Sequence, residues 1–222
     1  MKRWKENIWI FLPEHINEER DIFYFLSAVF CVRIGKEFLH CLTKSVREWV
    51  YNEYIRKESY IMEQGTIFKF HNDLDTDQII ASQYLLLPNL DEMKGHTFES
   101  LDPDFAKKVK PGDFVVGGEN FGCGSSREQA PGVLKALGVQ AVIAKSFARI
   151  FFRNAINIGL PAIVCKDLPD EVQTGDKMEL HMSEGTAEAN GKVYSCTKLP
   201  EYMQGILNQG GLIASLNREE EK

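Results

Sequence analysis

Residues 119–132, ENFGCGSSREQAPG, combine small residues, adjacent hydroxyls and a cation directly after the strand-like run DFVVGG. Ser125, Ser126 and Arg127 stand where a helix is expected to begin, so backbone N–H groups, two hydroxyls and a guanidinium could face one anion. A guanidinium offers two parallel N–H donors, which match the two oxygens of a carboxylate. This segment therefore predicts a binding site for an anionic ligand.

The segment does not match the two common phosphate-binding loops. Gly117 and Gly122 have the spacing of a Walker motif, but the next residues are Cys and Gly instead of Lys and Ser or Thr. In GCGSSR, Arg127 stands where a dinucleotide-binding loop has its third glycine. A nucleotide is therefore not the expected ligand.

A purely structural interpretation of the same residues is also open. Ser125 and Glu128 have the S-x-x-E spacing of a capping box, and Pro131 would suit the first turn of a helix that starts slightly later. On spacing alone, a capped helix start explains the segment as well as an anion site does.

The chain around this segment alternates strand-like and helical patterns. Apolar runs predict strands at 66–70, 113–118, 139–145, 161–165, 177–182 and 191–196, and helical periodicity predicts helices at 103–109, 127–137, 147–157 and 200–208. The order strand, helix, strand, helix, strand between 113 and 165 favours an α/β fold with a partly parallel sheet. Such folds bind ligands at the carboxyl ends of strands, which is where residues 119–132 lie. Gly138 and Gly159 are expected to end two helices.

The composition changes near Met62, which predicts a boundary there. All three tryptophans precede it, whereas only one of the 17 glycines and one of the 8 prolines do. Residues 36–58 have apolar side chains at helical spacing. We therefore expect an N-terminal extension at 1–61, helical in part and either of unknown role or the product of a misread start, followed by the catalytic domain at 62–222.

Composition and charge narrow the class of protein. A hydrophobic fraction of 44% supports a core, and the net charge of −6 argues against nucleic acid or an anionic membrane as the main partner. The five cysteines are dispersed without a C-x-x-C pair, which predicts neither a disulfide framework nor a self-contained metal site and favours the reducing cytoplasm.

Three blocks of the sequence closely resemble the swivel domain of the aconitase family. They are HNDLDTDQIIASQYL at 71–85, GGENFGCGSSREQA at 117–130 and KSFARIFFRNAINIGLP at 145–161, and they occur in the order of the family. The resemblance covers about residues 62–210 and does not extend to 1–61. It implies a swivelling β/β/α domain, and it favours a catalytic site as the interpretation of the Ser-Ser-Arg run.

The resemblance also implies a reaction and the residues that perform it. Family members remove water from hydroxy acids, which requires a base for a weakly acidic C–H bond beside a carboxylate. By position, Ser125 matches the serine that acts as this base in its alkoxide form, Ser126 helps to form the site, and Arg127 binds the substrate carboxylate. Asp77 matches an acidic active-site position, and the structural alternative for this segment is a helix or turn cap by Asp75, Thr76 or Asp77.

By the same resemblance, a four-iron four-sulfur cluster held by three cysteines in the large part of the enzyme activates the leaving group. The cysteines here supply no such set, so the chain is expected to bind no cofactor itself and to work only with a separate large subunit that carries the cluster. Cys123, His71 and His96 are not expected to be metal ligands. Arg153 is expected to be structural or at an interface, and the role of Arg149 is open.

The residues that follow Asp77 suggest the substrate. Aconitases and homoaconitases carry a cation in this loop for a third carboxylate, whereas here the loop reads YLLLPNL and no Arg occurs from 73 to 104. Leu85, Leu86 and Leu87 could instead bury an alkyl branch, which would contribute about 2 kcal/mol for an isopropyl group. The expected substrate is an alkyl malate, and 3-isopropylmalate of leucine biosynthesis fits best. A methylated malate is the alternative substrate, and a stand-alone anion-binding module is the alternative class of protein. The flexible Lys94 could also fold back into the loop and supply a cation there.

Overall fold

The computed structural model describes residues 61–220, with side chains over 64–217. The expected N-terminal extension, its helix at 36–58, Cys31 and Cys41 lie outside the described residues. None of the helices within 61–220 is long and apolar enough to cross a membrane.

A seven-stranded mixed sheet forms the centre of the described part of the chain. Its strands are β1 (Ile61–Lys69), β2 (Phe114–Gly117), β3 (Ala141–Ala144), β4 (Ala162–Val164), β5 (Lys177–His181), β6 (Thr186–Ala189) and β7 (Lys192–Ser195). They lie in the order β4-β3-β2-β1-β5-β6-β7, with β1 to β4 parallel and β5 to β7 antiparallel. The predicted α/β fold with a partly parallel sheet is thus confirmed.

Eight α-helices and two 3₁₀ helices accompany this sheet within residues 61–220. They are α1 (Thr76–Ile79), α2 (Leu90–Met93), α3 (Phe105–Lys108), α4 (Gln129–Ala136), α5 (Arg149–Ile158), α6 (Leu168–Glu171), α7 (Glu201–Asn208) and α8 (Leu212–Glu220), with 3₁₀ helices at Ser82–Leu86 and Lys94–His96. The four predicted helices are confirmed as α3, α4, α5 and α7. Gly138 and Gly159 follow α4 and α5 with φ of +82°, as expected for helix ends.

The predicted strands match the observed ones with two differences. β1 begins at Ile61, five residues before the predicted start at Thr66. β6 was not predicted, because its sequence TAEA has only small apolar residues. Ala187 and Ala189 are nonetheless buried while Glu188 is exposed, so this strand follows the two-residue period without bulky side chains.

Two apolar clusters cover the two faces of the sheet. Phe114 and Val116 of β2 belong to one cluster and Val115 belongs to the other, because successive side chains of a strand point to opposite faces. All residues of β2 and β3 are buried, as in parallel sheets covered on both sides. The loops that follow β1 and β2 are therefore attached to strands that are packed on both faces.

Candidate active site

The loops that follow β1 and β2 run side by side. The N–H groups of Gly122 and Cys123 donate to the carbonyl of Leu74 at 2.8 and 3.1 Å, and the N–H of Thr76 donates to the carbonyl of Cys123 at 2.9 Å. Asp75 and Cys123 form an isolated parallel bridge. Parallel pairing of β1 with β2 thus brings the DTDQ segment beside the Ser-Ser-Arg run.

Two glycines allow these loops to approach each other. Gly122 has φ of +78°, and a side chain there would meet the ring of Phe151 at 2.3 Å. Gly124 has φ of +93°, and a side chain there would meet the Asp75 carboxylate at 2.3 Å. Any other residue at either position would be strained and would push the loops apart.

A buried hydroxyl fixes the backbone of Ser125. Its N–H donates to Oγ1 of Thr76 at 3.0 Å, and Thr76 is fully buried. The Ser125 hydroxyl and the N–H groups of Gly124, Ser126 and Arg127 have no hydrogen-bond partner among the residues that the structure describes. One hydroxyl and three amide donors are therefore available to a ligand at this loop.

The capping-box interpretation of the loop is wrong. α4 begins at Gln129 with Glu128 as its N-cap, and neither Glu128 nor Ser125 provides a side-chain cap. Ser125 lies four residues before the helix, where its side chain is too far along the chain to serve the helix start. Its conformation is set by Thr76, a residue of another loop.

Arg127 forms a triad with two residues from the loop after β1. Its Nη2 lies 2.6 Å from Oδ1 of Asp77 and its Nη1 donates to Oγ of Ser82 at 3.2 Å, while Ser82 donates to Asp77 at 2.7 Å. The hydrogen bonds from Ser82 and then from Arg127 hold the pKa of Asp77 below its usual value. Asp77 is therefore ionised at neutral pH. The buried Nε of Arg127 has no partner within residues 61–220.

Asp75, not Asp77, caps the short helix α1. The Asp75 side chain accepts from the N–H of Asp77 at 2.7 Å, and the Gln78 side chain accepts from the N–H of Asp75 at 2.9 Å. This reciprocal capping box leaves the Asp77 carboxylate to Arg127. The predicted cap is confirmed at Asp75, and the catalytic role of Asp77 stays a prediction.

α5 holds the loop from the other side. Nδ2 of Asn154 donates to the carbonyl of Ser126 at 3.0 Å. Arg149 and Arg153 on the same helix are exposed and make no ion pair or hydrogen bond with any described residue. The Ser126 side chain is exposed, so it can face a ligand as the sequence predicts.

The three predicted substrate-binding leucines do not share one environment. Leu85 and Leu87 are half-buried and pack against the core, whereas Leu86 is 91% exposed. Leu86 ends the 3₁₀ helix that begins with Ser82, so the Cα atoms of these two residues are about 8 Å apart along the helix axis at about 2 Å of rise per residue. Lys94 does not return into this loop, because its ammonium pairs with Asp91 at 2.7 Å.

Cys123, His71, His96 and His181 are described residues of the types that could ligate a metal through sulfur or imidazole. Within residues 61–220, no three His, Cys, Asp or Glu side chains lie close enough together to hold a metal ion. Burial, with a smaller effect of the nearby carboxylates of Asp75 and Asp73, raises the pKa of the Cys123 thiol. This thiol therefore stays neutral at pH 7.

Three residues of the site were not found from the sequence. Thr76 and Ser82 supply the hydroxyls that hold Ser125 and Arg127, and Asn154 anchors Ser126. Thr76 had a weak signal, since it precedes Asp77 within the same motif. Ser82 and Asn154 had none, because each meets the loop across tertiary contacts that no local spacing shows.

The Thr76 hydroxyl can be tested by an isosteric change. Thr76→Val removes the acceptor and leaves the N–H of Ser125 unpaired, so we expect about a tenfold loss of kcat with about 1–3 kcal/mol of lost stability. Thr174→Val is a control for the loss of a threonine acceptor, because Oγ1 of Thr174 also accepts a backbone N–H, that of Lys69 at 2.9 Å, and makes no described hydrogen bond to Ser125 or Arg127. Equal kcat values for the two variants would contradict the positioning of Ser125 by Thr76.

Comparison with known proteins shows what the chain is similar to. The profile of the aconitase C-terminal domain matches residues 65–168. The chain is 52% identical over 151 residues to 3-isopropylmalate dehydratase small subunit 1 of Archaeoglobus fulgidus, a match of 67% of this chain and 93% of the relative. It is 49% identical over 158 residues to the isopropylmalate/citramalate isomerase small subunit of Methanocaldococcus jannaschii, a match of 70% of this chain and 94% of the relative.

A solved structure agrees with these sequence matches. The crystal structure of a 3-isopropylmalate dehydratase from Methanocaldococcus jannaschii has a TM-score of 0.69 and 43% identity, over 72% of this chain and 96% of that chain. Residues 65–168, which the profile matches, contain the loops after β1 and β2, with the Arg127 triad and Ser125.

Proposed function

Since the chain belongs to the aconitase family of dehydratase small subunits, we propose that it is the small subunit of a 3-isopropylmalate dehydratase. The enzyme interconverts 2-isopropylmalate and 3-isopropylmalate by dehydration and rehydration, a hydro-lyase reaction of leucine biosynthesis. The observation that carries this proposal is the placement of Ser125, fixed on Thr76, beside the Arg127–Asp77 pair.

Ser125 is the base in this proposal. Its oxygen, as an alkoxide, takes the proton from the carbon next to a substrate carboxylate, and the freed electron pair forms the double bond as the C–O bond to the departing hydroxyl breaks. Addition of water then places the hydroxyl on the carbon that lost the proton and a proton on the carbon that lost the hydroxyl, which gives the isomer. The N–H groups of Gly124, Ser126 and Arg127 have no partners within the described residues. They stabilise the negative charge of the Ser125 alkoxide.

Arg127 is the residue that we assign to the substrate carboxylate. Asp77 and Ser82 hold its terminal nitrogens, which fixes the plane of the guanidinium. Its Nε, buried and without a partner within residues 61–220, is the donor that a carboxylate oxygen would satisfy. Asp77 keeps Arg127 in place and, being ionised, balances its charge until the substrate binds.

A second subunit completes the enzyme. The relatives are named small subunits, and this family name implies a large subunit. Residues 61–220 do not provide a ligand set for a metal, so we assign the four-iron four-sulfur cluster of the family, a Lewis acid for the departing hydroxyl, to that partner. We also propose the cytoplasm as the location, which the dispersed cysteines favour; Cys123, Cys165 and Cys196 are free thiols.

The alkyl branch is the part of the substrate that Leu86 would recognise. Leu86 is exposed and apolar. The 3₁₀ helix Ser82–Leu86 contains no Lys or Arg that could pair with a third substrate carboxylate. A second candidate substrate is citramalate, which carries a methyl branch, because one relative is named isopropylmalate/citramalate isomerase small subunit.

A substrate panel with the reconstituted two-subunit complex tests the function and the role of Leu86 together. We expect isopropylmalate to be preferred over citramalate, citrate and homocitrate when the absorbance of the unsaturated intermediate is followed. Leu86→Ala should lower kcat/KM for isopropylmalate about tenfold, since the isopropyl group loses an apolar contact of about 1–2 kcal/mol, and should change citramalate turnover less.

The matched control for this panel is Ile213→Ala, which removes another well-exposed apolar side chain, on α8. A preference for citrate or homocitrate would contradict the alkyl-malate proposal. A preference for citramalate would keep the mechanism and replace the substrate.

A further inference from the structure

Residues 84–90, YLLLPNL, are called the leucine loop. Its first residue, Tyr84, contacts two side chains outside the loop, and the proposed reaction uses none of the three. The ring of Tyr84 stacks on the ring of His96, with centroids 3.8 Å apart and planes 8° apart. Nδ1 of His96 lies 3.2 Å from Oε2 of Glu99. Hydrogen bonding to Glu99 raises the pKa of the Tyr84 phenol, and the same contact lowers the pKa of Glu99. We call Tyr84, His96 and Glu99 the 84–96–99 clamp.

The half of the clamp formed by His96 and Glu99 is anchored in the core. Phe98, between them, is fully buried, stacks on Phe70 at 4.0 Å and donates its N–H to the carbonyl of Ile79 at 2.9 Å. Its φ is +55°, a left-handed conformation that is a clear outlier for a bulky aromatic residue. Such a conformation persists only where surrounding packing imposes it. His96 and Glu99 are therefore presented from a rigid turn.

The other half of the clamp belongs to an element that is only partly buried. Tyr84 is the middle residue of the 3₁₀ helix Ser82–Leu86, none of whose residues is fully buried. An open cavity of about 230 Å³ lies beside this helix, and Ala81, Tyr84, His96 and Glu99 are among the residues that line it. The stacked rings of Tyr84 and His96 border this cavity, so the clamp is a contact that opposes movement of the 3₁₀ helix into it.

The two ends of this helix have different tasks. Ser82, at one end, hydrogen bonds to Asp77 and Arg127. Leu86, at the other end, is the exposed apolar side chain. A shift of the helix would therefore change the distance between the carboxylate-binding end and the alkyl-binding end of the site.

We propose that the 84–96–99 clamp positions the 3₁₀ helix Ser82–Leu86 and so determines how strictly the enzyme selects the alkyl branch of its substrate. This inference rests on the proposed function. Tyr84, His96 and Glu99 are positioning residues, because they act through Leu86 and Ser82 and touch neither the reacting carbon nor the departing hydroxyl.

The test uses the two-subunit complex with isopropylmalate and citramalate as substrates. His96→Ala removes the stacked ring, so the ratio of kcat/KM for isopropylmalate to that for citramalate should fall at least about fivefold. The fall should come from a higher KM for isopropylmalate, with kcat nearly unchanged. His96→Phe keeps a ring over Tyr84 and should restore most of the ratio. An unchanged ratio in His96→Ala would overturn the proposal.

A matched control and a second readout separate this inference from the proposed function. His181→Ala removes a half-buried histidine of β5, which contacts Glu179 instead of the leucine loop, and should change neither KM nor the ratio. Hydrogen exchange on the full chain without its partner should show faster exchange at the N–H groups of Tyr84 and Leu87, which bond to Ala81 and Tyr84, in His96→Ala only.

The outcomes of the two readouts are distinct. If the wild-type complex turns over neither malate, the proposed function fails, and the exchange measurement still decides whether the clamp holds the helix. Exchange in His96→Ala that equals the wild-type rate would overturn the positioning role.

Discussion

Ser125→Ala is expected to lower kcat by about 10³-fold, within the range for loss of a positioned general base. No other described hydroxyl combines a backbone fixed on a buried side chain with neighbouring N–H groups that lack partners. The Ser125 hydroxyl makes no hydrogen bond to a described residue, so its removal should leave stability and assembly intact. Turnover of isopropylmalate and size-exclusion chromatography of the two-subunit complex are the measurements.

Ser183→Ala is the matched control, because this serine lies in the hairpin between β5 and β6, away from the loops after β1 and β2. It should behave as wild type in both measurements. If Ser125→Ala kept more than about a tenth of the wild-type rate, below the effect of a general base, the base would have to be another group, with the neighbouring Ser126 as the first to test.

Arg127→Lys has the second-largest expected effect. Lysine keeps the charge but cannot contact Asp77, Ser82 and a substrate carboxylate at once, so we expect kcat/KM to fall about 100-fold, which corresponds to about 3 kcal/mol. The loss should appear mainly in KM, since the arginine binds the part of the substrate that does not react. Steady-state kinetics with isopropylmalate measure both constants.

The same variant has a predicted pH signature. Hydrogen bonds from Ser82 and Arg127 depress the pKa of Asp77, so the Asp77–Arg127 pair is fully present above the ordinary carboxyl pKa of about 4 and is lost as pH falls through the lower folded value. Weaker pairing in Arg127→Lys raises that folded value, so the acid limb of kcat/KM should move to higher pH. The control is Arg153→Lys, an exposed arginine of α5 without a described partner. If both variants kept wild-type KM, Arg127 would not bind the substrate carboxylate.

The sequence predicted where the loop after β2 lies, but it did not predict the hydrogen bonds that hold the functional groups of that loop. The α/β order and the Ser-Ser-Arg run located the loop after β2, and Asp77 was recognised by its motif. The hydrogen bonds that hold the functional groups join residues about 45 to 50 positions apart, as Thr76 joins Ser125 and Ser82 joins Arg127. Such contacts follow from the parallel pairing of β1 with β2, which no local pattern encodes.

The leucine loop shows the same limit at shorter range. YLLL indicated an apolar surface, and Leu85, Leu86 and Leu87 were expected to bind the alkyl branch; of the three, only Leu86 is well exposed. The 3₁₀ turn decides which of the three faces outward, since its side chains repeat every three residues. His96 carried no functional signal, because its partner Tyr84 lies 12 residues earlier in the chain.

The central position of β1 has a consequence for folding. Within the described residues, β1 joins the parallel half of the sheet, through β2, to the antiparallel half, through β5. The β5–β6–β7 meander can form from local contacts, whereas pairing of β1 with β2 must close a loop of about 45 residues and β1 with β5 a longer one, which is entropically costly and slow. The groups for carboxylate binding and proton removal therefore come together only when the non-local pairing of β1 with β2 forms. A partly folded chain can retain the meander and have no active site.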